Sequence, residues 1–262
     1  MDPTSAILVD ASKVFEILER TWWIALRIGT MLMLAPMIGT NMLPKRIRLV
    51  LALALSFTLA PLLPPATVTI GIDAQTYLAM ARELAIGATI GFLFRLGLEA
   101  AAVAGEMISQ GMGLSFAQML DPLRGTQSPV MGQWFTLIAG LCFFAVDGHL
   151  ALVRVVFDSY TIAPGGSPLS LAHALAAVPD FAKSMLAAGA SFALPVVIAM
   201  LVVNISFGVL ARTAPALNPI AIGLPAALLM GFVLLLALLP RLATPLSSWL
   251  ATTAAAAASA VH

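Results

Sequence analysis

Long apolar blocks separated by short polar stretches run through the whole sequence. Four blocks contain no Asp, Glu, Lys or Arg: 49–72, 125–146, 184–211 and 213–240. Two further blocks, about 14–38 and 77–108, are apolar but carry charged residues. Because about 20 mostly apolar residues let a helix cross a bilayer, the pattern predicts an all-α, polytopic membrane protein. Its six hydrophobic segments are expected to form helical hairpins.

Proline residues fall inside or beside several of these segments. Pro195 lies within the fifth, and Pro215, Pro219 and Pro225 surround the turn into the sixth. Proline removes a backbone donor and kinks or ends a helix, although neighbouring helices in a membrane can satisfy the freed carbonyl. The sequence therefore predicts partly broken helices, with an interruption at Pro195.

The composition supports a membrane protein and narrows its function. The chain is 61% hydrophobic and 10% charged, with a net charge of +1 that gives no bias towards nucleic acid. Cys142, the single cysteine, excludes an intrachain disulfide and is interpreted as a small buried hydrophobe. Catalytic and nucleotide-binding motifs such as HExxH, GxSxG and GxxxxGK[ST] are absent from the sequence, so we predict no enzymatic activity, no cofactor and no metal site.

Charged and polar side chains within the apolar segments are candidates for a structural or chemical role. A charge at the bilayer centre costs about 2.5–3.5 kcal/mol on insertion scales, so such residues usually face a bundle interior or water. Two interpretations stay open: a proton or ion relay through Glu99, Glu106, Asp147 and His149, or hydrogen bonds and ion pairs that fix how the helices assemble. Asn204 is expected to make an interhelical hydrogen bond. The candidate assembly residues are Arg95, Glu99, Glu106, Asp147, His149, Arg154 and Asn204.

Small residues recur at every fourth position along the third segment, at Gly97, Ala101, Gly105 and Ser109. This spacing places them on one face of a helix, where another backbone can approach closely. The stripe predicts a close-packing surface that continues to Gly113 and leads directly into the next segment.

The stretch 105–129, GEMISQGMGLSFAQMLDPLRGTQSP, is neither a typical membrane span nor a typical polar loop. It is too rich in glycine and polar residues for a span and too apolar for a solvated loop. Irregular backbone at membrane depth is tolerated only where protein or a water-filled cavity surrounds it. The residues alone therefore predict a buried re-entrant loop.

Four ordered stretches resemble the type III secretion export-gate family of FliR-like and SctT-like subunits. They are LPKRIRLVLALALS (43–56), GEMISQGMGLSFAQMLDPLRGTQSPVMGQ (105–133), FFAVDGHLALVR (143–154) and NISFGVLARTAPALNPIAIGLP (204–225). The resemblance covers about residues 16–240, and the GTQSP and LARTAPALN wording is closer to flagellar than to injectisome members.

The resemblance implies a subunit of the flagellar protein export gate, multi-pass in the bacterial inner membrane at the flagellar basal body. The implied partners are several copies each of FliP and FliQ in a helical complex, together with FlhB, membrane lipid and unfolded export substrates. It also implies a division into a FliP-like part (1–180), a FliQ-like helical hairpin (181–240) and an Ala-rich tail (241–262). From its composition, the tail is expected to be a frayed helix or disordered.

The resemblance further implies that the loop after the third helix plugs the export channel when no substrate passes. We define the plug segment as residues 111–122. The residues expected to form the plug are Gly111, Met112, Gly113, Leu114, Ser115, Phe116, Met119, Asp121 and Pro122.

Two other function classes fit parts of the pattern. A multispan secondary transporter would use charged residues near broken helices at the membrane midplane. Its candidate site would comprise Arg95, Glu99, Glu106, Asp147 and His149. An intramembrane enzyme is a third class, although none of the motifs above supports it.

Overall fold

Every regular element in the described part of the chain is an α-helix. The computed structural model describes residues 3–39, 43–114, 130–165, 171–213 and 219–261. The helices are α1 (Pro3–Leu34), α2 (Lys45–Leu59), α3 (Ala74–Gly111), α4 (Val130–Ala145), α5 (Gly148–Ile162), α6 (Leu171–Thr213) and α7 (Pro219–Ser259). This confirms the predicted all-α class.

Several of these helices are long and apolar enough to cross a membrane. Among the described residues, α3, α6 and α7 meet this condition, and α4 and α5 together form one further candidate, bent by 65°. With its 15 residues, α2 is only about 22 Å long at 1.5 Å per residue, which is less than the hydrocarbon thickness. The predicted polytopic membrane architecture is therefore confirmed, and a helix break follows the fourth apolar block, 125–146.

The helix break occurs at Asp147 rather than at a proline. The predicted interruption at Pro195 is wrong, because α6 continues from Leu171 to Thr213. In the same way α7 contains Pro225, Pro240 and Pro245. A proline removes one hydrogen bond, whereas ending the helix in apolar surroundings would leave several backbone groups unsatisfied. A continuous helix that contains a proline therefore has a lower free energy than two helices that end at the proline.

The Ala-rich tail continues α7 as far as Ser259. Thr253 and Ala257 have no exposed surface, and Ala260 is 1% exposed. This packing contradicts the expectation of a frayed or disordered tail. Small side chains allow close helix contact, so a composition that is typical of disorder in water also fits a packed apolar helix.

The chain divides into two compact units that alternate along the sequence. Unit 1 comprises Met1–Leu96, Asp147–Phe181 and Thr252–His262, and unit 2 comprises Gly97–Val146 and Ala182–Ala251. The division into FliP-like and FliQ-like parts at residues 180 and 240 rests on the resemblance and stays a prediction.

In unit 1, the backbone of α1 lies directly on α3. A Cβ atom added at Gly87 would overlap the carbonyl oxygen of Arg27, and one added at Gly91 would overlap that of Met31. Ascending residue numbers on α1 thus meet ascending numbers on α3, so these segments run parallel. The two glycines permit a contact that any larger residue would push apart.

The first turn of α3 is capped from the preceding loop. The Asp73 carboxylate accepts hydrogen bonds from the hydroxyl and, at 3.3 Å, from the backbone N–H of Thr76. The hydroxyl bond is the main reason why the pKa of Asp73 is lowered from its usual value. The cap satisfies one of the donors that every helix leaves unpaired at its start.

In unit 2, α6 and α7 both pack on the second half of α3. Along α6, Gly189 lies against the carbonyl oxygen of Ala100, while Asn204 bonds to Gly111, so α6 runs parallel to α3. Along α7, the Trp249 indole N–H donates to the carbonyl oxygen of Gly97 at 2.8 Å. Because the earlier α7 residue Gly231 contacts Met112 near the end of α3, α7 runs in the opposite direction. The two helices are therefore antiparallel, as in a helical hairpin.

Candidate functional site

A buried polar cluster joins three helices of unit 1. Arg27 on α1 donates from Nε to Glu83 Oε2 at 2.8 Å and from Nη2 to Glu83 Oε1 at 2.9 Å, which makes a bidentate pair with α3. Its Nη1 donates to the Ser159 hydroxyl on α5 at 2.8 Å. Both charged side chains are 1% exposed. We call Arg27, Glu83, Ser159 and Tyr160 the polar cluster.

The remaining groups of the polar cluster are also bonded. The Tyr160 hydroxyl lies 3.2 Å from Glu83 Oε2 and 3.1 Å from the carbonyl oxygen of Trp23. The Arg27 guanidinium carbon lies 3.8 Å from the centre of the Tyr160 ring, a cation–π contact. Arg27 Nη2 also donates to the carbonyl oxygen of Ala163, just after α5, at 3.1 Å. A buried ion pair is tolerated only with such additional hydrogen bonds.

Sequence reasoning missed most of this cluster. Arg27 is the single charged residue in the apolar run 21–38. A lone charge in such a run indicates that the side chain has a buried partner. Its partner Glu83 is 56 residues away, and Ser159 and Tyr160 look unremarkable in a helix. The sequence pattern does not show which of the many charged residues pairs with Arg27.

The charged residues singled out from the sequence are distributed over both units. Arg95, Asp147 and Arg154 are exposed, whereas Glu99, Glu106 and His149 are half-buried. Glu99 and Glu106 belong to unit 2 and the other four to unit 1. No group of three His, Cys, Asp or Glu side chains in the described chain is arranged to hold a metal ion.

Asp147 forms the break between α4 and α5 through its backbone. Its φ of 56° and ψ of 30° place it in the left-handed region, and its carbonyl oxygen accepts from the N–H groups of Leu150 and Ala151. The side chain makes no capping hydrogen bond. Asp and Asn tolerate this conformation better than most other residues with a side chain. The geometry therefore favours a conformational reason for an aspartate at this position.

Substitutions at Asp147 separate the conformational role from a proton-relay role. We expect Asp147→Asn to change the free energy of unfolding by less than about 0.5 kcal/mol, since asparagine also adopts the left-handed region. Asp147→Ala should lose about 1–2 kcal/mol. Denaturant titration of the purified protein and complementation of a host that lacks the protein measure the two properties. Loss of complementation by a normally folded Asp147→Asn variant would support the relay instead.

The C-terminal end of α3 in unit 2 is a complete Schellman motif. The N–H of Leu114 donates to the carbonyl oxygen of Ser109, and that of Gly113 donates to Gln110, both at 3.1 Å. Gly113 has a φ of +75°, as this motif requires at its central position. Gly111 is the last residue of α3. The plug segment thus leaves α3 through a defined turn at Gly113.

Two side chains hold this helix end against the α6–α7 pair. Asn204 on α6 donates from Nδ2 to the carbonyl oxygen of Gly111 at 3.1 Å, which satisfies one of the carbonyls left free at a helix end. Met112 is fully buried and lies against Gly231 of α7. The first residues of the plug segment, through Met112, are therefore anchored in unit 2.

A substitution at Gly113 tests the importance of this turn. We expect Gly113→Ala to lose about 1–2 kcal/mol of stability because an alanine Cβ is unfavourable in the left-handed region. Gly113→Asn is the matched control, since asparagine tolerates positive φ, and should retain most of the stability. Limited proteolysis after Leu114 and thermal unfolding measure the change. Equal stability of the two variants would contradict the importance of a positive φ at Gly113.

The small-residue stripe lies on the packed side of α3. Gly97, Ala101, Gly105 and Ser109 are all buried. A Cβ atom at Gly105 would lie 2.5 Å from the carbonyl oxygen of Met131 on α4, so the backbones of α3 and α4 touch there. The rest of the predicted plug, Ser115, Phe116, Met119, Asp121 and Pro122, lies outside the described residues.

Comparison with known proteins provides the family. The model of the family described as "Bacterial export proteins, family 1" matches residues 18–253. The chain is 34% identical over 223 residues to the flagellar biosynthetic protein FliR of Escherichia coli strain K12, covering 85% of each protein. It is 32% identical to FliR of Pectobacterium carotovorum over 84% of each, and 31% identical to FliR of Caulobacter vibrioides over 80% of this chain and 84% of that protein. The chain therefore belongs to family 1 of the bacterial export proteins, the family of the FliR proteins.

Proposed function

We propose that this protein is a non-enzymatic subunit of the flagellar type III protein export gate. In this role it helps to form and to plug the channel for unfolded export substrates in the bacterial inner membrane. The proposal is supported by the family, by relatives described as flagellar biosynthetic proteins and by the long apolar helices of the chain.

The observation that carries the proposal is the exposed apolar surface of α6 and α7. In the most apolar window of α3, 61% of the residues are buried, compared with 28% for α6 and 17% for α7. On α6, the exposed side chains follow the spacing of one helix face. They are Leu194, Ile198, Leu201, Ile205 and Val209, each between 47% and 60% exposed.

The same arrangement occurs on α7 at Leu229, Phe232, Val233 and Leu236. Apolar residues spaced by three and four positions form a stripe that packs against another helix. Because one chain leaves two such stripes uncovered, the arrangement favours helical partners. We assign FliP and FliQ to these surfaces, with residues 181–240 acting as the FliQ-like hairpin and residues 1–180 as the FliP-like part.

We assign the plug to the segment after α3, as the family resemblance implies. The Schellman turn at Gly113 and the burial of Met112 support an anchored base. Leu114, Phe116 and Met119 would supply the apolar bulk that closes the lumen, while methionine can repack around different passing chains. FlhB and the unfolded substrates would meet the channel at its entrance.

Affinity purification in a mild detergent tests the assembly. The tagged protein is expected to retain FliP and FliQ in a fixed ratio. Ile198→Arg, which places a charge on the α6 stripe, should reduce their recovery at least tenfold. Ile72→Arg is the control, because Ile72 is 96% exposed outside the helices. Purification of the wild-type protein alone or as a homo-oligomer would contradict the gate and favour the transporter.

A further inference from the structure

An apolar cavity of about 210 Å³ lies within unit 2. It is partly open and is bounded by the 135–142 face of α4 and the 239–246 face of α7, with Ala101 of α3 and Phe192 of α6 completing the wall. The α4 residues are Phe135, Ile138 and Cys142, three and four positions apart. One helix face from each side therefore lines the cavity.

The chemistry of the lining determines what the cavity accepts. Every lining side chain is apolar apart from the thiol of Cys142, which is a weak donor. An ordered water needs two to four polar partners, and these are missing from the wall. Smaller apolar cavities, of about 150 Å³, stay dry and take up apolar molecules. The occupant is therefore an apolar group without hydrogen-bonding atoms.

The surroundings of the cavity indicate the source of this group. The neighbouring α4 side chains Leu137 and Leu141 are 56% and 65% exposed. Lining residues of α4 fall in the charge-free block 125–146, which matches the hydrocarbon depth of a bilayer. At that depth the surrounding apolar molecules are lipid acyl chains, slender and flexible enough to enter a cleft between two helices.

We propose that this cavity binds an acyl chain of a membrane phospholipid. The chain would lie between α4 and α7 and stabilise their packing by mass action, since it binds the folded protein and has no comparable site on the unfolded one. The inference is independent of the proposed export function, because it requires only that unit 2 is folded in a membrane.

Photocrosslinking tests the site. The wild-type protein, with any subunits that co-purify, is placed in nanodiscs that contain phosphatidylcholine with a diazirine on one acyl chain, illuminated and mapped by mass spectrometry. We expect adducts on Phe192 and Leu242, which line the cavity, and also on the exposed Leu137 and Leu141. Cys142→Phe should fill the space and lower the adducts on Phe192 and Leu242 at least tenfold, while those on Leu137 persist.

Two further variants make the result decisive. Leu141→Phe adds an aromatic ring to the adjacent exposed position and should leave the cavity adducts unchanged. Ala243→Phe fills the cavity from its exposed edge and should lower the adducts on Phe192 and Leu242 to the same extent. This variant provides the test if Cys142→Phe does not fold. Wild-type adducts confined to exposed residues, with the cavity filled by a side chain of a neighbouring subunit, would overturn the proposal. Equal cavity adducts in the filled variants would overturn it as well.

Discussion

Replacing Arg27 with alanine is expected to lower the free energy of unfolding by about 3–5 kcal/mol. The Glu83 carboxylate is 1% exposed and accepts two hydrogen bonds from Arg27. Without the guanidinium, this carboxylate would remain buried without its cation, and the loss would also leave Ser159 and the Tyr160 ring without their contacts to it. Unfolding of the purified protein in mixed detergent micelles, followed by circular dichroism, measures the change.

The double variant Arg27→Met with Glu83→Leu distinguishes a charge effect from a packing effect. Replacing both partners of a buried pair by apolar residues is often neutral or stabilising, so we expect this variant to recover most of the loss. Glu16→Gln is the control, because the Arg20–Glu16 pair is exposed and should contribute less than about 1 kcal/mol. If the double variant is as unstable as Arg27→Ala, the polar cluster acts through shape rather than through charge.

Removing the bulk of the plug is expected to make the membrane permeable to small ions while leaving assembly intact. The change is a deletion, or a replacement by glycine, of residues 114–119. The apolar side chains proposed to close the lumen are lost, but Asn204 and Met112 still anchor the end of α3. Ion conductance of cells or proteoliposomes, measured together with co-purification of FliP and FliQ, reports the two properties separately.

A variant that keeps the bulk provides the control for this experiment. Leu114→Met with Phe116→Leu retains large apolar side chains and should keep the membrane closed to ions. Normal assembly with unchanged conductance in the deletion variant would exclude the plug and leave the re-entrant packing loop predicted from the residues alone.

Local patterns accounted for much of the fold. The apolar blocks indicated where the helices lie, because each block is a signal summed over many consecutive residues. The C-terminal end of α3 is also the kind of feature that a sequence can reveal, since glycine commonly ends helices and the turn at Gly113 involves only neighbouring residues. Pro195 was misleading for the opposite reason. A local rule for proline was overridden by the need to keep the surrounding backbone hydrogen-bonded in α6.

The candidate sites were harder to predict from the sequence than the helices. Small residues at Gly97–Ser109 indicated a packing surface, and the structure has this stripe buried. The equally close contacts at Gly87 and Gly91 were not predicted from the sequence, although these glycines have the same four-residue spacing. Asn204 was expected to make an interhelical hydrogen bond, but its partner, the carbonyl oxygen of Gly111, carries no sequence signal because every residue has one.

By itself, the sequence determined that this is a helical membrane protein with six apolar segments, and its ordered motifs indicated the export family. These properties depend on composition and on residues close together in the chain. Only the tertiary structure decided that Arg27 pairs with Glu83, that α4 and α5 separate at Asp147, and that four helices line a partly open apolar cavity beside Cys142. Each of these depends on which distant helices pack together and in what register, and that choice is made by the summed free energy of the whole chain rather than by any local segment.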